Sequence, residues 1–452
     1  MQLKECLDSP CGLDYMLEQL ELQSSYARRV LLETPFCTQA AELAGTYARL
    51  RAFAAVCADA AQLPALDSLR VKLMGLKDIR HTISRLAASE CLDDLELYEV
   101  KFLALSASEA AGLLQRLGLS GQLPFPDVEE VIRILDPDGL RMATFYVYDS
   151  YSARLAELRR KWRESGELQE ELMLLVNEEE ARVRNELCVQ LKPFAAALEA
   201  AQQAMANADI LLAKAALMLR YGFCIPEISD EGGCSYVGLF HPEVRDLLAA
   251  SGKEFQPVDI SFDSHPTLIV GANMGGKSVV LKSVALCQYL CQFGFGVPAA
   301  QARVALKDEI HFCIGDHQSV TEGLSSFAAE IRQMDALVRE ARLGVRLLAL
   351  LDEPARTTNP VEGTALVRGL LHVLRPLHLC LLVATHYAIP SADGDRCLKV
   401  SGLGTDGRMD YSLEEVAAGE VPLEALRIAS RLGADGDWLE AAASFLPSGK
   451  KI

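Results

Sequence analysis

Residues 271–278 read GANMGGKS, a G-x-x-x-x-G-K-[ST] spacing with the apolar run TLIV before it and an amphipathic stretch after it. These residue types suit phosphate. Gly271, Gly275 and Gly276 let backbone N–H groups close around an anion, and a following helix adds the positive end of its dipole. Lys277 is expected to reach the β- and γ-phosphates of ATP, and the Ser278 hydroxyl to hold Mg²⁺. Downstream, the apolar run LLALL (347–351) ends in Asp352-Glu353. Asp352 is assigned to the Mg²⁺ shell, and Glu353 to orienting or deprotonating the attacking water. A third apolar run, LCLLVA, ends in Thr385-His386-Tyr387, where His386 can sense the γ-phosphate. Taken singly, a strand-end histidine is more often structural; the company of the other motifs favours the functional reading.

Such residues need strand ends to carry them. From about Gly222 the pattern alternates short apolar strands, Gly/Pro turns and helices, as in an α/β domain. Before it, LDYMLEQLELQSSYARRVLL and TQAAELAGTYARLRAFAAVCADAA carry apolar residues at three- and four-residue spacing, which predicts helices. VIRILDPDGLRMATFYVYD (131–149) reads as two short strands around an Asp-Pro-Asp-Gly turn. Two helices follow, SARLAELRRKWR and a long stretch from Leu168 to about Leu219, separated only by ESGE. Pro193 is expected to kink or interrupt the second. The acidic run NEEEARVRNE reads most simply as a solvated face, and RRKWR (159–163) as a charged helix end.

The 452 residues carry 62 acidic against 44 basic side chains, a net charge of −18, which disfavours broad binding to a phosphate backbone. Thirteen scattered cysteines without a CxxC pair exclude a zinc ribbon and fit a reducing cytoplasm. Cys287 and Cys291, four apart on a predicted helix, read as core packing. The start MQLKECLDSPCG shows no apolar leader, and no run is long enough to span a bilayer, so a cytoplasmic protein with no membrane partner is expected.

An ABC-type ATPase, which often spells its acid pair Asp-Glu-Pro, would carry an LSGGQ-like signature upstream; none is present. Instead residues 316–338 read DHQSVTEGLSSFAAEIRQMDALV. With GANMGGKS, VPA at 297–299 and ATHY at 384–387, the region closely resembles the ATPase domain of the MutS family. GLKDIRHTISRLAASECLDDLELYEVKFL (75–103) resembles the family's helical core, HPEV (241–244) the start of its ATPase domain, and ALRIASRLGADGDWLEAAASF its C-terminal dimerising helices. The fold expected is an α/β P-loop NTPase domain of the ABC/MutS type appended to an all-α core and lever domain. Its expected parts are a helical core (1–130), short strands plus lever helices (131–221), the ATPase domain (222–420) and a dimerising tail (421–452).

The resemblance implies a dimer with a second MutS-like subunit, most simply a homodimer, with two composite ATP–Mg²⁺ sites. Ser325 or Ser326 would contact the γ-phosphate of the partner's nucleotide, and Phe327 and Glu330 would shape that loop. His317 would lie near the nucleotide, and Asn273 would position phosphate or water. The departures are as informative. The mismatch-reading and connector domains are expected to be missing, and ESGE stands where the family inserts its DNA clamp. The run Asp-Glu-x-Gly-Arg-Gly-Thr has become Asp352-Glu353-Pro-Ala-Arg-Thr-Thr, losing both glycines. The expectation is therefore an ATPase that remodels a protein client, with a trimmed architecture similar to the reactivating ATPases of adenosylcobalamin-dependent lysine aminomutases. The alternative is a DNA-binding MutS-like ATPase acting on mismatched or branched DNA. An inactive homologue is disfavoured by the intact Lys277, Ser278, Asp352, Glu353 and His386.

Overall fold

The computed structural model describes residues 1–164, 169–229, 232–271, 276–314, 326–356, 358–387, 389, 395–403, 409–416, 429 and 433–444. The chain forms two compact units. One takes Met1–Gln19, Pro35–Tyr47 and Met218–Ile452, and the other takes Leu20–Thr34 and Ala48–Leu217. The first unit thus recruits two stretches that a linear reading leaves in the helical core. Three contacts inside it show how: Tyr15 Oη donates to Asp246 at 2.6 Å, His241 Nε2 lies 3.0 Å from the Cys11 carbonyl, and Tyr47 Oη donates to the Cys291 carbonyl at 2.8 Å.

That unit holds two sheets. In the smaller, β1 (Glu227–Ser229), β2 (Cys234–Leu239), β3 (Val258–Phe262) and β5 (Gln301–Ala305) lie in the order β1-β5-β2-β3. The larger contains β4 (Thr267–Val270), β6 (Glu309–Ile314), β7 (Leu347–Asp352), β8 (Cys380–Thr385), β9 (Arg396–Leu403) and β10 (Met409–Glu415), ordered β10-β9-β4-β8-β7-β6. All its neighbours run parallel except β9 and β10. Every residue of β4, β7 and β8 is buried, which explains their unbroken apolar spelling: a central parallel strand has no solvent face to alternate with. Helices Lys277–Gln292, Ser326–Ala341 and Pro360–Leu374 connect them. The last starts where its sequence says it should, with Pro360 in the first turn and Asn359 Oδ1 accepting from the Val361 N–H at 2.9 Å.

The second unit is helical, and no strand lies among its described residues. The strand pair expected over 131–149 is not formed. Glu129–Leu135 is a helix instead, because Val131, Ile132 and Leu135 bury one face and two glutamates sit at the favourable N-terminal end. Asp136, expected in a hairpin turn, is instead buried, accepting from Lys101 Nζ at 2.9 Å and from the Arg141 N–H at 2.6 Å. The expected interruption at Pro193 is present: Gln169–Leu191 gives way to a 3₁₀ turn at Lys192–Phe194 before Ala195–Tyr221 resumes. ESGE itself falls largely outside the described residues.

The acidic run is only partly a solvated face. Glu179 is buried, accepting from Ser152 Oγ at 2.6 Å and pairing with Arg182, while Glu180 pairs with Arg159 at 2.7 Å. These contacts join helix Ala153–Glu164 to helix Gln169–Leu191. Arg159 and Arg163 of the RRKWR cluster are likewise held by Asp149. All thirteen cysteines are free, and Cys287 and Cys291 are fully buried, as core packing requires. No helix among the described residues is long and apolar enough to cross a membrane.

Candidate active site

The motifs meet because of strand order. Along the chain the phosphate-loop strand β4 comes first, the acid-pair strand β7 next and the His386 strand β8 last. In the sheet β8 lies between the other two, with Val270 opposite Thr385 and Asp352 opposite Ala384. Gly271, Asp352-Glu353 and His386 therefore emerge side by side at the carboxyl edge, where open α/β sheets bind ligands.

Gly276 caps helix Lys277–Gln292 at φ +75°, a left-handed conformation that glycine adopts freely. The helix N-terminus and Lys277 thus face the same edge. Lys277 is buried; its Nζ donates to the Gly271 carbonyl at 2.9 Å and lies 3.8 Å from Glu353 Oε1. Burial lowers its pKa, against the opposing pull of Glu353 and Asp352.

Asp352 is also buried, and burial raises its carboxyl pKa, while a hydrogen bond with the Ser278 side chain works the other way. Its Oδ1 has no hydrogen-bond partner. A buried carboxylate oxygen without a donor, beside a hydroxyl already bonded to the same carboxylate, is the donor set that a hard, oxygen-seeking Mg²⁺ takes. The residues assigned to the metal from sequence, Ser278 and Asp352, therefore fit it.

Glu353 has Lys277 Nζ at 3.8 Å, Arg356 at 3.8 Å and His386 Nδ1 at 4.0 Å. Its backbone is left-handed at φ +50°, and its N–H donates to the Ala384 carbonyl at 2.8 Å. That conformation turns the chain sharply as it leaves β7, separating the Glu353 side chain from the path of the strand.

The loop beyond is fastened by residues to which the sequence alone gave a lesser role or none. Ala355 is left-handed too, at φ +60°. Its N–H donates to Glu330 Oε1 at 2.6 Å, and its carbonyl accepts from Tyr387 Oη at 2.9 Å. One residue is thus gripped from helix Ser326–Ala341 on one side and from the end of β8 on the other. Helix Pro360–Leu374 approaches so closely that a Cβ on Gly363 would come 2.6 Å from Tyr387 Oη and 3.0 Å from the Ala355 carbonyl. Only glycine fits there. The signal available in the sequence was the spelling ATHY and the unexpected alanine; Gly363 gave none.

The remaining expectations fall outside the described residues. Asn273, Gly275, His317 and Ser325 lie there, and of Ser326 only its place at the start of a helix is described.

Comparison with known proteins agrees with this geometry. Residues 267–403 match the family MutS domain V. The chain is 31% identical over 313 residues to Endonuclease MutS2 of Thermomicrobium roseum, covering 65% of this chain and 37% of that protein. It is 32% identical over 233 residues to DNA mismatch repair protein MutS of Thermus aquaticus, covering 52% of this chain and 27% of that protein. Endonuclease MutS2 of Streptococcus gordonii is 30% identical over 234 residues, 52% of this chain and 28% of its own length. The chain thus matches well under half the length of these relatives.

Proposed function

The chain belongs to the MutS family and carries its domain V, and from that premise we propose that it hydrolyses ATP with Mg²⁺ and uses the cycle to act on DNA. The observation that carries the ATPase reading is the convergence of Lys277, Asp352-Glu353 and His386 on one carboxyl edge, with Asp352 Oδ1 left for a metal. Lys277 and the helix N-terminus behind Gly276 bind the phosphates. Ser278 and Asp352 hold Mg²⁺, which when bound neutralises charge that develops on the phosphates. Glu353, held off the strand by its left-handed turn, accepts the proton of the attacking water. His386, 4.0 Å from Glu353, senses whether the γ-phosphate is present.

The composite site of a homodimer completes this picture, with Ser325 or Ser326 reaching the partner's nucleotide and Asn273 ordering phosphate or water. Glu330 would then link that shared segment to the catalytic loop, because it binds Ala355 from the helix that Ser326 begins.

DNA as the load rests on the relatives, which are named an endonuclease and a mismatch-repair protein. One observation favours the second reading, a protein client. In the helical unit Arg159, Arg163, Arg182 and Arg184 are paired with carboxylates, which compete with a phosphate backbone for them. Neither the geometry nor the relatives' names points to an aminomutase.

The test is steady-state ATP hydrolysis with and without duplex and branched DNA at physiological salt. Mg²⁺-dependent turnover should fall by about 10²–10⁴ in Glu353→Ala while ATP still binds. Turnover unchanged by Lys277→Ala would overturn the site. Hydrolysis indifferent to DNA, with no salt-sensitive DNA binding, would replace DNA by a protein client.

A further inference from the structure

A second set of donor side chains lies at the opposite end of the strands. Glu309 opens edge strand β6 opposite Leu347, the first residue of β7, whereas the ATP site lies where β7 ends. Glu309 and His311 are two apart, so they project from one face of β6. Glu340, near the end of helix Ser326–Ala341, meets them there: its carboxylate contacts His311 Nε2, which lies 4.0 Å from Glu309 Oε2. One donor atom from each of the three residues falls within 4.8 Å of the others.

The charge at this point is not balanced by the protein. Among the described residues no lysine or arginine pairs with Glu309 or Glu340; their one basic neighbour is the imidazole they share. Asp308, next in the chain, is occupied by Arg346 at 2.6 Å. Two carboxylates brought together without a counter-cation repel, whereas a divalent ion between them would convert that repulsion into binding.

We propose that Glu309, His311 and Glu340 form a divalent transition-metal site that ties helix Ser326–Ala341 to edge strand β6. The donor set selects the ion class. One imidazole and two carboxylates suit Zn²⁺, Mn²⁺ or Co²⁺, with water in the open positions, and suit Mg²⁺ poorly because it prefers oxygen alone. The site is separate from the Ser278–Asp352 pair and does not depend on ATP hydrolysis. Its ligands come from a strand and a helix distant in sequence, so a bound ion would stabilise the folded chain.

The test uses the full chain, stripped with EDTA and free of nucleotide, titrated with Co²⁺ by absorption spectroscopy and with Zn²⁺ by calorimetry. The expected result is one equivalent per chain, with weak d–d absorption, no thiolate charge-transfer band, and displacement by Zn²⁺. The spectroscopic criterion matters because a stray site among thirteen free cysteines would show the thiolate band. His311→Gln and Glu340→Gln should each weaken binding by at least about tenfold. Glu309→Gln, at an exposed carboxylate, keeps the test open if either of those variants folds poorly. A thiolate signature, no stoichiometric binding, or equal affinity in wild type and all folded variants would overturn the site.

Discussion

Buried charges in the helical unit and the buried carboxylate of the ATP site are treated in opposite ways. In the helical unit the Lys101 ammonium, almost fully enclosed, is 2.9 Å from Asp136 and 3.1 Å from Tyr148 Oη, and Asp136 also takes the Arg141 N–H. Asp209 accepts from the Gln23 and Ser24 N–H groups, and Glu179 from Ser152 Oγ. Each of these buried charges has protein partners. At the ATP site Asp352 is buried with Oδ1 unpartnered, while Lys277, 3.8 Å from Glu353, is held by the Gly271 carbonyl at 2.9 Å. The difference separates charges that hold a fold from a carboxylate oxygen left without a protein donor. A satisfied ion network resists change, whereas an unsatisfied one raises the energy of the free protein and gives binding more to gain.

That contrast breaks most clearly in a matched pair of substitutions. Lys101→Met leaves Asp136 buried without its cation and should cost about 3–5 kcal/mol of folding stability, read as a lower urea midpoint. Asp352→Asn should leave the nucleotide-free midpoint unchanged or higher, because it removes an uncompensated charge, and yet abolish Mg²⁺-dependent hydrolysis. Stability lost at Asp352 and kept at Lys101 would invert the comparison.

Acid titration sharpens it through the sign. Glu179, held at about 2 by Arg182 and then Ser152, gives stability that is fully present above its ordinary 4.5 and is lost as pH falls toward about 2. Asp352 is raised above its ordinary 3.8 by burial, so the folded state takes its proton first, and this unfavourable contribution fades as pH falls through the raised value. The advantage of wild type over Glu179→Gln should therefore shrink as pH falls below 4.5, and the advantage of Asp352→Asn over wild type should shrink as pH falls through the raised Asp352 value. Urea midpoints measured across both windows test this; a wild-type-minus-variant difference that changes with pH in the same direction at both residues would refute it.

The smallest effect concerns backbone strain. Ala355→Gly should raise stability by up to about 1 kcal/mol, since a left-handed φ of +60° is costly for alanine and free for glycine. If kcat also changes while KM does not, the grip of Glu330 and Tyr387 on this peptide positions Glu353 as well as holding the loop.

Much of the site was legible because its chemistry is local. A strand, a glycine turn and a helix N-terminus are contiguous in 267–292, and Asp352 sits at the end of an uninterrupted apolar run. Pro193 was legible for the same reason, since a missing N–H acts on its own helix. The failures involve long-range partners. Residues 131–135 were misread because the β-rich spelling of VIRIL was outweighed by burial of one helical face, a tertiary effect. The NEEEARVRNE run hid a buried Glu179 because Ser152, which receives it, is 27 residues away. Ala355 was noticed as a lost glycine, but its two hydrogen bonds come from residues 25 and 32 positions distant.

By itself the sequence singled out candidates for binding phosphate and a metal, because a strand, a glycine turn and a helix N-terminus follow one another within 267–292. Only the tertiary structure decided that β8 lies between β4 and β7, and so that His386 joins the acid pair and the lysine. It also decided which buried charges are satisfied and which are left open, because partnership depends on residues that chain order does not place together.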